Sequence, residues 1–172
     1  MDIKSLIRVI EDYPEKGISF KDITTLLKDK DGFRKTIDLL EEKLEDYEFD
    51  YIAGIESRGL IFGAPLSDRL NKGFIPIRKP GKLPAEIEKM SYELEYGTNE
   101  LEIHKDALKE GDRVVIIDDL IATGGSAKAA AKLVESIGGE VVCFEFLIEL
   151  TALKGREMLD GYEVISLVEY DH

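Results

Sequence analysis

One contiguous segment gives the clearest indication of the fold: Val114-Val115-Ile116-Ile117-Asp118-Asp119-Leu120-Ile121-Ala122-Thr123-Gly124-Gly125-Ser126. Its first four residues are β-branched and apolar, which is typical of a strand buried on both faces of a parallel sheet. Further along, Ala130, Leu133, Val134 and Ile137 have the spacing of one helical face. The segment therefore predicts a strand, a polar loop and a helix in direct succession.

The polar loop of this segment has the composition of an anion site. In open α/β sheets, ligands bind beyond the carboxyl ends of the strands. Gly124 and Gly125 let backbone N–H groups turn toward one point, and the following helix directs its positive end there. We therefore predict a phosphate monoester in the loop, with Asp118 and Asp119 near ribose hydroxyls. The alternative is a tight connection without a ligand, and neither a GxxxxGK[ST] nor a GxGxxG motif occurs.

A second strand end has a similar design. The buried strand predicted at residues 51–55 runs into Glu56-Ser57-Arg58-Gly59 and then a helix over residues 59–70. Backbone N–H groups and the Arg58 guanidinium suit a second anion through charge-assisted bonds. The alternative is a surface ion pair between Arg58 and Glu56. Two anion sites at neighbouring strand ends predict one ligand with phosphate at both ends.

The remaining pattern predicts an α/β fold with a central, mostly parallel sheet flanked by helices. Further strands are predicted at residues 74–77, 113–117, 141–148 and 163–167, and helices at residues 3–10 and 33–44. A hairpin is predicted from strands 92–96 and 101–104, with its turn at Gly97-Thr98-Asn99. Residues 79–91 include Pro80, Gly81 and Pro84, and their apolar residues follow neither the helical nor the strand period. This predicts a long mobile loop of the kind that often forms a lid.

Bulk properties narrow the classes of function. The 172 residues suit one domain, and the net charge of −13 opposes binding to nucleic acid or to an anionic membrane. No apolar run reaches the roughly 20 residues of a membrane span, and no secretory signal opens the chain. The single cysteine, Cys143, suits a reducing cytosol, so we expect a cytoplasmic protein. Arg78, Lys79 and Lys82 form a local basic stretch that is either a solvated loop or part of the second anion site.

Residues 118–126 resemble the phosphoribosyl diphosphate signature of the type I phosphoribosyltransferases. Other segments resemble the adenine-specific branch of that family, and the similarity extends from about residue 10 to the C-terminus. These segments are Asp12-Tyr13-Pro14 and residues 17–24, 56–65, 78–84, 94–97, 149–151 and 154–157. The resemblance implies one domain over residues 1–172, in which residues 1–30 include a hood over the base and residues 79–96 form a lid.

The resemblance also implies roles for individual residues. Binding of phosphoribosyl diphosphate is implied for Arg58, Arg78, Lys82, Asp118, Asp119, Ala122, Thr123, Gly124, Gly125 and Ser126. Within this set, Arg78 and Lys82 match basic positions that reach the diphosphate across a dimer interface. Adenine binding is implied for Ser19, Phe20 and Lys21, with the Phe20 ring stacked on the base. Glu95 is similar to a glutamate proposed to handle a purine ring proton, and the alternative is an exposed strand carboxylate.

The reaction that the resemblance implies is phosphoribosyl transfer from phosphoribosyl diphosphate to adenine, giving AMP and diphosphate, a step of purine salvage. Mg²⁺ is implied as the cofactor, held mainly by the diphosphate and water rather than by protein ligands. A homodimer is implied as well. Two alternatives stay open: a sister transferase that acts on another nucleobase, and a non-catalytic regulator that senses phosphoribosyl diphosphate. His104 and Cys143 have no partners at metal-ligand spacing and are not site candidates.

Overall fold

The centre of the protein is a five-stranded sheet in which all neighbouring strands are parallel. The computed structural model describes residues 1–94 and 97–172. Its strands are β1 (Arg8–Glu11), β2 (Ser19–Asp22), β3 (Tyr51–Ile55), β4 (Gly73–Ile77), β5 (Ile87–Leu94), β6 (Gly97–His104), β7 (Arg113–Ile121), β8 (Glu140–Leu150) and β9 (Val164–Tyr170). Its α-helices are α1 (Thr24–Leu27), α2 (Lys30–Lys43), α3 (Arg58–Leu70), α4 (Gly125–Ser136) and α5 (Gly155–Met158). The strand order of the central sheet is β4-β3-β7-β8-β9, so the predicted α/β fold is confirmed.

Strand β7 lies at the middle of the sheet and contacts a hydrophobic core on each face. Val114 and Ile116 belong to the cluster that includes α4, whereas Val115 and Ile117 belong to the cluster that includes α2 and α3. All four side chains are fully buried. Because side chains alternate across a strand, a continuous apolar run is what a sheet covered on both faces requires.

Helix α2 confirms the helix predicted over residues 33–44 and starts three residues earlier, at Lys30. Its start is fixed by Asp29, whose side chain accepts the Gly32 backbone N–H at 2.8 Å. Such a cap satisfies one of the N–H groups that the first helical turn leaves unpaired. Ile37 and Leu40 then face the core.

The helix predicted over residues 3–10 is wrong. Ile3–Leu6 forms a 3-10 helix, and the next residues form β1, which pairs antiparallel with β2. An ion pair of 2.5 Å between Arg8 and Asp22 joins the two strands. The apolar spacing did mark Ile3 and Ile7 as buried positions. The conformation follows instead from pairing with a strand about ten residues away in sequence, which helical periodicity does not report.

The segment predicted as a loop over residues 79–91 is a loop only as far as residue 86. Ile87–Leu94 is strand β5, which pairs antiparallel with β6, so the predicted hairpin exists but is longer than expected. The turn predicted at residues 97–99 is wrong, because Gly97 pairs with Leu94 and Asn99 pairs with Tyr92 inside the ladder. Within residues 1–94 and 97–172, no helix combines the length and apolarity needed to span a membrane.

Candidate functional site

The ends of β3 and β7, with the loops that follow them, form one cleft at the carboxyl edge of the sheet. The two strands are parallel neighbours, with Gly54 paired with Ile117. The cleft has a volume of about 260 Å³. It brings together residues from both predicted anion sites and from the end of β5: Arg58, Tyr92, Glu93, Leu94, Asp118, Asp119, Leu120, Ala122, Thr123, Gly124, Gly125 and Ser126.

Gly59 allows α3 to start directly against the end of β7. A Cβ atom at this position would lie 2.7 Å from the Ile117 carbonyl oxygen and 3.2 Å from Asp118 Oδ1, which is too close for a side chain. With glycine here, the first residue of the helix, Arg58, lies within reach of β7. Its Nε donates a hydrogen bond of 2.6 Å to Asp119 Oδ2. The two strand ends are therefore joined by an ion pair inside the cleft.

The adjacent carboxyl groups of β7 differ in their electrostatic environment. Burial, and then the neighbouring charge of Asp119, raise the pKa of Asp118 well above its ordinary value. Asp119 is paired with Arg58, and its charge raises the pKa of that guanidinium. A protonated acid both donates and accepts hydrogen bonds, whereas a carboxylate only accepts them. The raised pKa favours a protonated Asp118, which can donate as well as accept, and both side chains offer oxygen atoms to hydroxyl groups of a ligand.

The loop over residues 122–126 has the geometry of an anion site. Gly124 is the N-cap of α4 and has a φ of 89°, in the left-handed region that favours glycine. As a glycine it provides no side-chain oxygen to accept the first N–H groups of the helix. Those N–H groups and the helix dipole therefore remain available to an anion in the cleft.

Tyr92 and Leu120 are cleft residues that the sequence interpretation missed. Tyr92 lies on β5, where Met90 and Tyr92 pack toward the core and Ser91 and Glu93 are exposed. Burial raises the pKa of the Tyr92 hydroxyl. Tyr92 falls in the strand predicted at residues 92–96, but a predicted strand does not by itself indicate that its side chain reaches the cleft.

The structure does not bring Arg78 and Lys82 into the cleft of their own chain. Arg78 follows β4, and its Nε donates a hydrogen bond of 2.9 Å to Glu56 Oε1, which also accepts the Lys79 N–H at 3.2 Å. Burial opposes ionisation of Glu56, but these hydrogen bonds hold its pKa below the ordinary value. The alternative pairing of Arg58 with Glu56 is contradicted, because each takes a different partner.

The three residues of the predicted base-binding hood lie on β2 and are not part of the lining of the Arg58 cleft. Ser19 and Lys21 line a second cleft of about 730 Å³ on one side of the strand. There Lys21 Nζ donates a hydrogen bond of 2.6 Å to Ser19 Oγ, and burial lowers the Lys21 pKa. Phe20 alternates to the opposite side, where its ring and the Tyr13 ring are T-shaped to each other at a centroid distance of 5.2 Å. The Phe20 ring is therefore available to a different surface from the Ser19 and Lys21 side chains.

Glu95, the predicted catalytic residue, lies outside the described residues together with Tyr96. His104 is a strand-end residue whose Nε2 accepts the Ala85 N–H at 3.3 Å. Cys143 is fully buried in β8, and burial raises the pKa of its thiol to about 12.

A sheet-edge cleft with a glycine-rich anion loop after one strand and an arginine after its neighbour matches the class expected from the sequence. The sequence model of the phosphoribosyl transferase domain family matches residues 22–170 of this chain. The chain therefore belongs to the phosphoribosyl transferase family.

Within that family, the chain is similar to adenine phosphoribosyltransferases over nearly its full length. The enzyme of Halothermothrix orenii is 58% identical over 98% of this chain and 99% of its own length. The crystal structure of adenine phosphoribosyltransferase from Thermoanaerobacter pseudethanolicus is 60% identical, with a TM-score of 0.96 and coverage of 98% of both chains. That of the Saccharomyces cerevisiae enzyme, complexed with D-2,5-dideoxy-2,5-imino-altritol 1,6-bisphosphate and adenine, is 43% identical, with a TM-score of 0.90 and 96% coverage of both chains.

Proposed function

We infer that this chain transfers the 5-phosphoribosyl group from phosphoribosyl diphosphate to adenine, giving AMP and diphosphate in purine salvage. The observation that carries the inference is the single cleft shared by Arg58 and the loop at residues 122–126. Phosphoribosyl diphosphate has phosphate at both ends of one ribose, so its two anionic ends match two anion sites in one cleft. The full-length similarity to adenine phosphoribosyltransferases supports adenine as the acceptor.

In the proposed reaction, the adenine N9 atom forms a bond to the ribose C1 atom. The bond between C1 and the diphosphate oxygen breaks, the diphosphate takes the electron pair, and the proton of N9 is released. The chain contributes by positioning, because two bound ends fix C1 between the incoming base and the leaving group. The loop at residues 122–126 holds the 5-phosphate, and Asp118 and Asp119 bind the ribose hydroxyls. Arg58 exchanges Asp119 for the diphosphate and neutralises its developing charge.

We propose Mg²⁺ as the cofactor, bound chiefly by phosphate oxygens and water. Mg²⁺ prefers oxygen ligands and commonly binds proteins through one or two carboxylates plus substrate phosphates. Glu93, Asp118 and Asp119 have carboxyl groups in the lining of the same cleft. Among the described residues no three acidic, histidine or cysteine side chains cluster as a ready metal site, which fits an ion held mainly by phosphate oxygens and water. When bound, the ion neutralises charge on the diphosphate leaving group.

We propose that residues 1–30 provide a hood that binds adenine, with Phe20 stacked on the ring and backbone groups of Ser19 and Lys21 reading its edge. Residues 79–96 are proposed to act as a lid that excludes water, because an open site would hydrolyse the activated sugar. The position of Tyr92 and Glu93 at the cleft supports this role for the hairpin. The assignment of Glu95 to proton transfer stays a prediction.

We further propose a cytoplasmic homodimer in which Arg78 and Lys82 of one chain reach the diphosphate of the other. Support comes from their position after β4, the edge strand of the sheet, and from their absence from the lining of their own chain's cleft. Pairing with Glu56 holds Arg78 at this edge. Most soluble oligomers are symmetric, so one such contact would serve both sites.

The test is to offer adenine, hypoxanthine, guanine and uracil separately with phosphoribosyl diphosphate and Mg²⁺ and to measure nucleotide formation. We expect AMP from adenine and little product from the other bases. Product only from another base would favour the sister transferase. Tight binding of phosphoribosyl diphosphate without product from any base would favour the regulator.

A further inference from the structure

We propose that Arg156 is a positioning residue that holds the anion loop at residues 122–126 in the shape that binds the 5-phosphate. Arg156 is not among the residues that line the cleft, so we assign it an effect through α5, which contacts the loop. This inference rests on the proposed function, in which the loop binds the 5-phosphate of the sugar.

Helix α5 contacts the anion loop backbone to backbone. A Cβ atom at Gly155 would lie 2.6 Å from the Ala122 carbonyl oxygen, and one at Gly124 would lie 2.7 Å from the Gly155 carbonyl oxygen. Met158 adds a side-chain contact, since the same Cβ atom added at Gly124 would lie 2.9 Å from the Met158 Cβ. With no side chain between the Gly155 backbone and the loop backbone, a displacement of α5 is transmitted directly to the loop.

A helix as short as α5 has no stability of its own and needs an external attachment. Arg156 provides it: its Nε and Nη2 donate hydrogen bonds of 2.9–3.1 Å to the two carboxylate oxygens of Glu149. Its Nη1 donates to the Val164 carbonyl oxygen at 2.8 Å. The planar guanidinium thus joins α5 to β8 and β9 at once, which a lysine cannot reproduce.

Glu149 is itself held firmly. It is only 6% exposed, and the Ser166 hydroxyl donates to its Oε1 at 2.7 Å. Hydrogen bonds from Arg156 lower its pKa, so the carboxylate form is favoured. Glu149 also pairs in the sheet with Ile121, the last residue of β7 before the anion loop. The pair of Arg156 and Glu149 therefore fixes α5 at the level of the sheet where the anion loop begins.

The experiment compares Arg156→Met and Arg156→Lys with a matched control, Arg69→Met, in the full chain. Arg69 also forms ion pairs, with Asp38 and Glu41, but it joins α3 to α2 away from the loop. Calorimetry measures the affinities for ribose 5-phosphate and for diphosphate separately, and steady-state assays give KM and kcat.

We expect Arg156→Met to weaken ribose 5-phosphate binding about tenfold, because small displacements of a binding group have large effects. The KM for phosphoribosyl diphosphate should rise by a similar factor with kcat within about twofold, as for loss of uniform binding. Diphosphate affinity should stay within about twofold, since Arg58 lies on another loop. Arg156→Lys should fall between Met and wild type, and Arg69→Met should match wild type.

A second variant, Gly155→Ala, keeps the proposal testable if Arg156→Met does not fold. Alanine is the better helix former, so a loss of ribose 5-phosphate affinity would come from the Cβ contact with Ala122. Equal weakening of both ligands, or a lower Tm with unchanged ribose 5-phosphate affinity, would overturn the positioning role. If adenine is not a substrate but ribose 5-phosphate affinity depends on Arg156, the proposed function fails and the inference stands.

Discussion

At the scale of single residues, the ionisable groups of the cleft are paired with one another. Arg58 and Asp119 form an ion pair, and Asp118 lies beside them with a raised pKa. A ligand with ribose hydroxyls and a diphosphate would offer a new partner to each group. The cost of separating Arg58 from Asp119 is offset when both find ligand partners, so binding depends on the complete ligand.

Asp119→Asn tests this arrangement. The amide keeps the shape of the side chain but removes its charge, so a ribose hydroxyl loses a charge-assisted acceptor while Arg58 is released for diphosphate. We expect the affinity for ribose 5-phosphate to fall about tenfold and the affinity for diphosphate to stay equal or rise. Calorimetry measures both, with Asp38→Asn, which also loses an ion pair to arginine, as the control. Unchanged affinity for ribose 5-phosphate would contradict the assignment of Asp119.

Glu145 gives a prediction for stability. Its carboxylate oxygens are fully buried in β8 without a hydrogen-bond partner among the described residues, and burial raises its pKa from 4.5 to about 9. The folded chain therefore keeps a proton that the unfolded chain releases. The stabilising contribution of that proton is complete below pH 4.5 and is lost as the pH rises toward about 9.

Glu145→Gln removes this titration while nearly preserving side-chain volume. Between pH 6 and pH 8, we expect the free energy of unfolding of the variant to rise relative to wild type by roughly 3 kcal/mol. Urea unfolding at both pH values measures the difference, and Glu135→Gln, at an exposed position in α4, serves as the control. A pH-independent difference between Glu145→Gln and wild type would contradict the buried, protonated state.

At the scale of elements, the junction between β7 and α4 depends on two glycines with different requirements. Gly124 has a positive φ and no room for a Cβ atom, whereas the nearest atom to a Cβ at Gly125 would be 3.6 Å away. We expect Gly124→Ala to lower the free energy of unfolding by about 2 kcal/mol and Gly125→Ala by less than about 0.5 kcal/mol. Chemical denaturation of the two variants measures this. Equal losses would show that the junction is not constrained at Gly124.

The elements that could be predicted are those whose signals are local. Strand β7, the Asp118–Asp119 pair and the glycine loop lie in one continuous segment, so hydrophobic run, polar edge and helix start were all visible in the sequence. Helix α2 likewise has all of its helical apolar spacing within one continuous segment of the sequence. These elements have the predicted type, and their boundaries shift by only a few residues.

The elements that could not be predicted depend on partners distant in sequence. The apolar spacing at Ile3 and Ile7 marked burial but not conformation, because β1 forms only by pairing with β2. The first part of strand β5 was predicted as loop because proline and glycine residues precede it. The strand forms through its antiparallel pairing with β6. The contact of Gly155 with the anion loop has no sequence signal, since only the fold brings α5 against it.

At the scale of the whole molecule, the proposed homodimer places Arg78 of one chain at the cleft of the other. Arg78→Ala and Asp119→Asn would then weaken different halves of each site, so activity is compared at phosphoribosyl diphosphate concentrations well below the raised KM of either variant. Co-expression of the two variants should restore about one quarter of wild-type activity, because half of the dimers are mixed and each has one intact site. Activity assays of co-purified variants measure this. No recovery in verified mixed dimers would contradict the shared site, and sedimentation at monomer mass would contradict the dimer.

The most direct measurement is a crystal structure with AMP and diphosphate bound. We expect the 5-phosphate of AMP to accept hydrogen bonds from the backbone N–H groups of residues 123–126 and the diphosphate to contact Arg58. The ribose hydroxyls should lie at Asp118 and Asp119. A 5-phosphate bound elsewhere, for example beside Lys21 in the second cleft, would contradict the single two-ended site on which the proposed function depends.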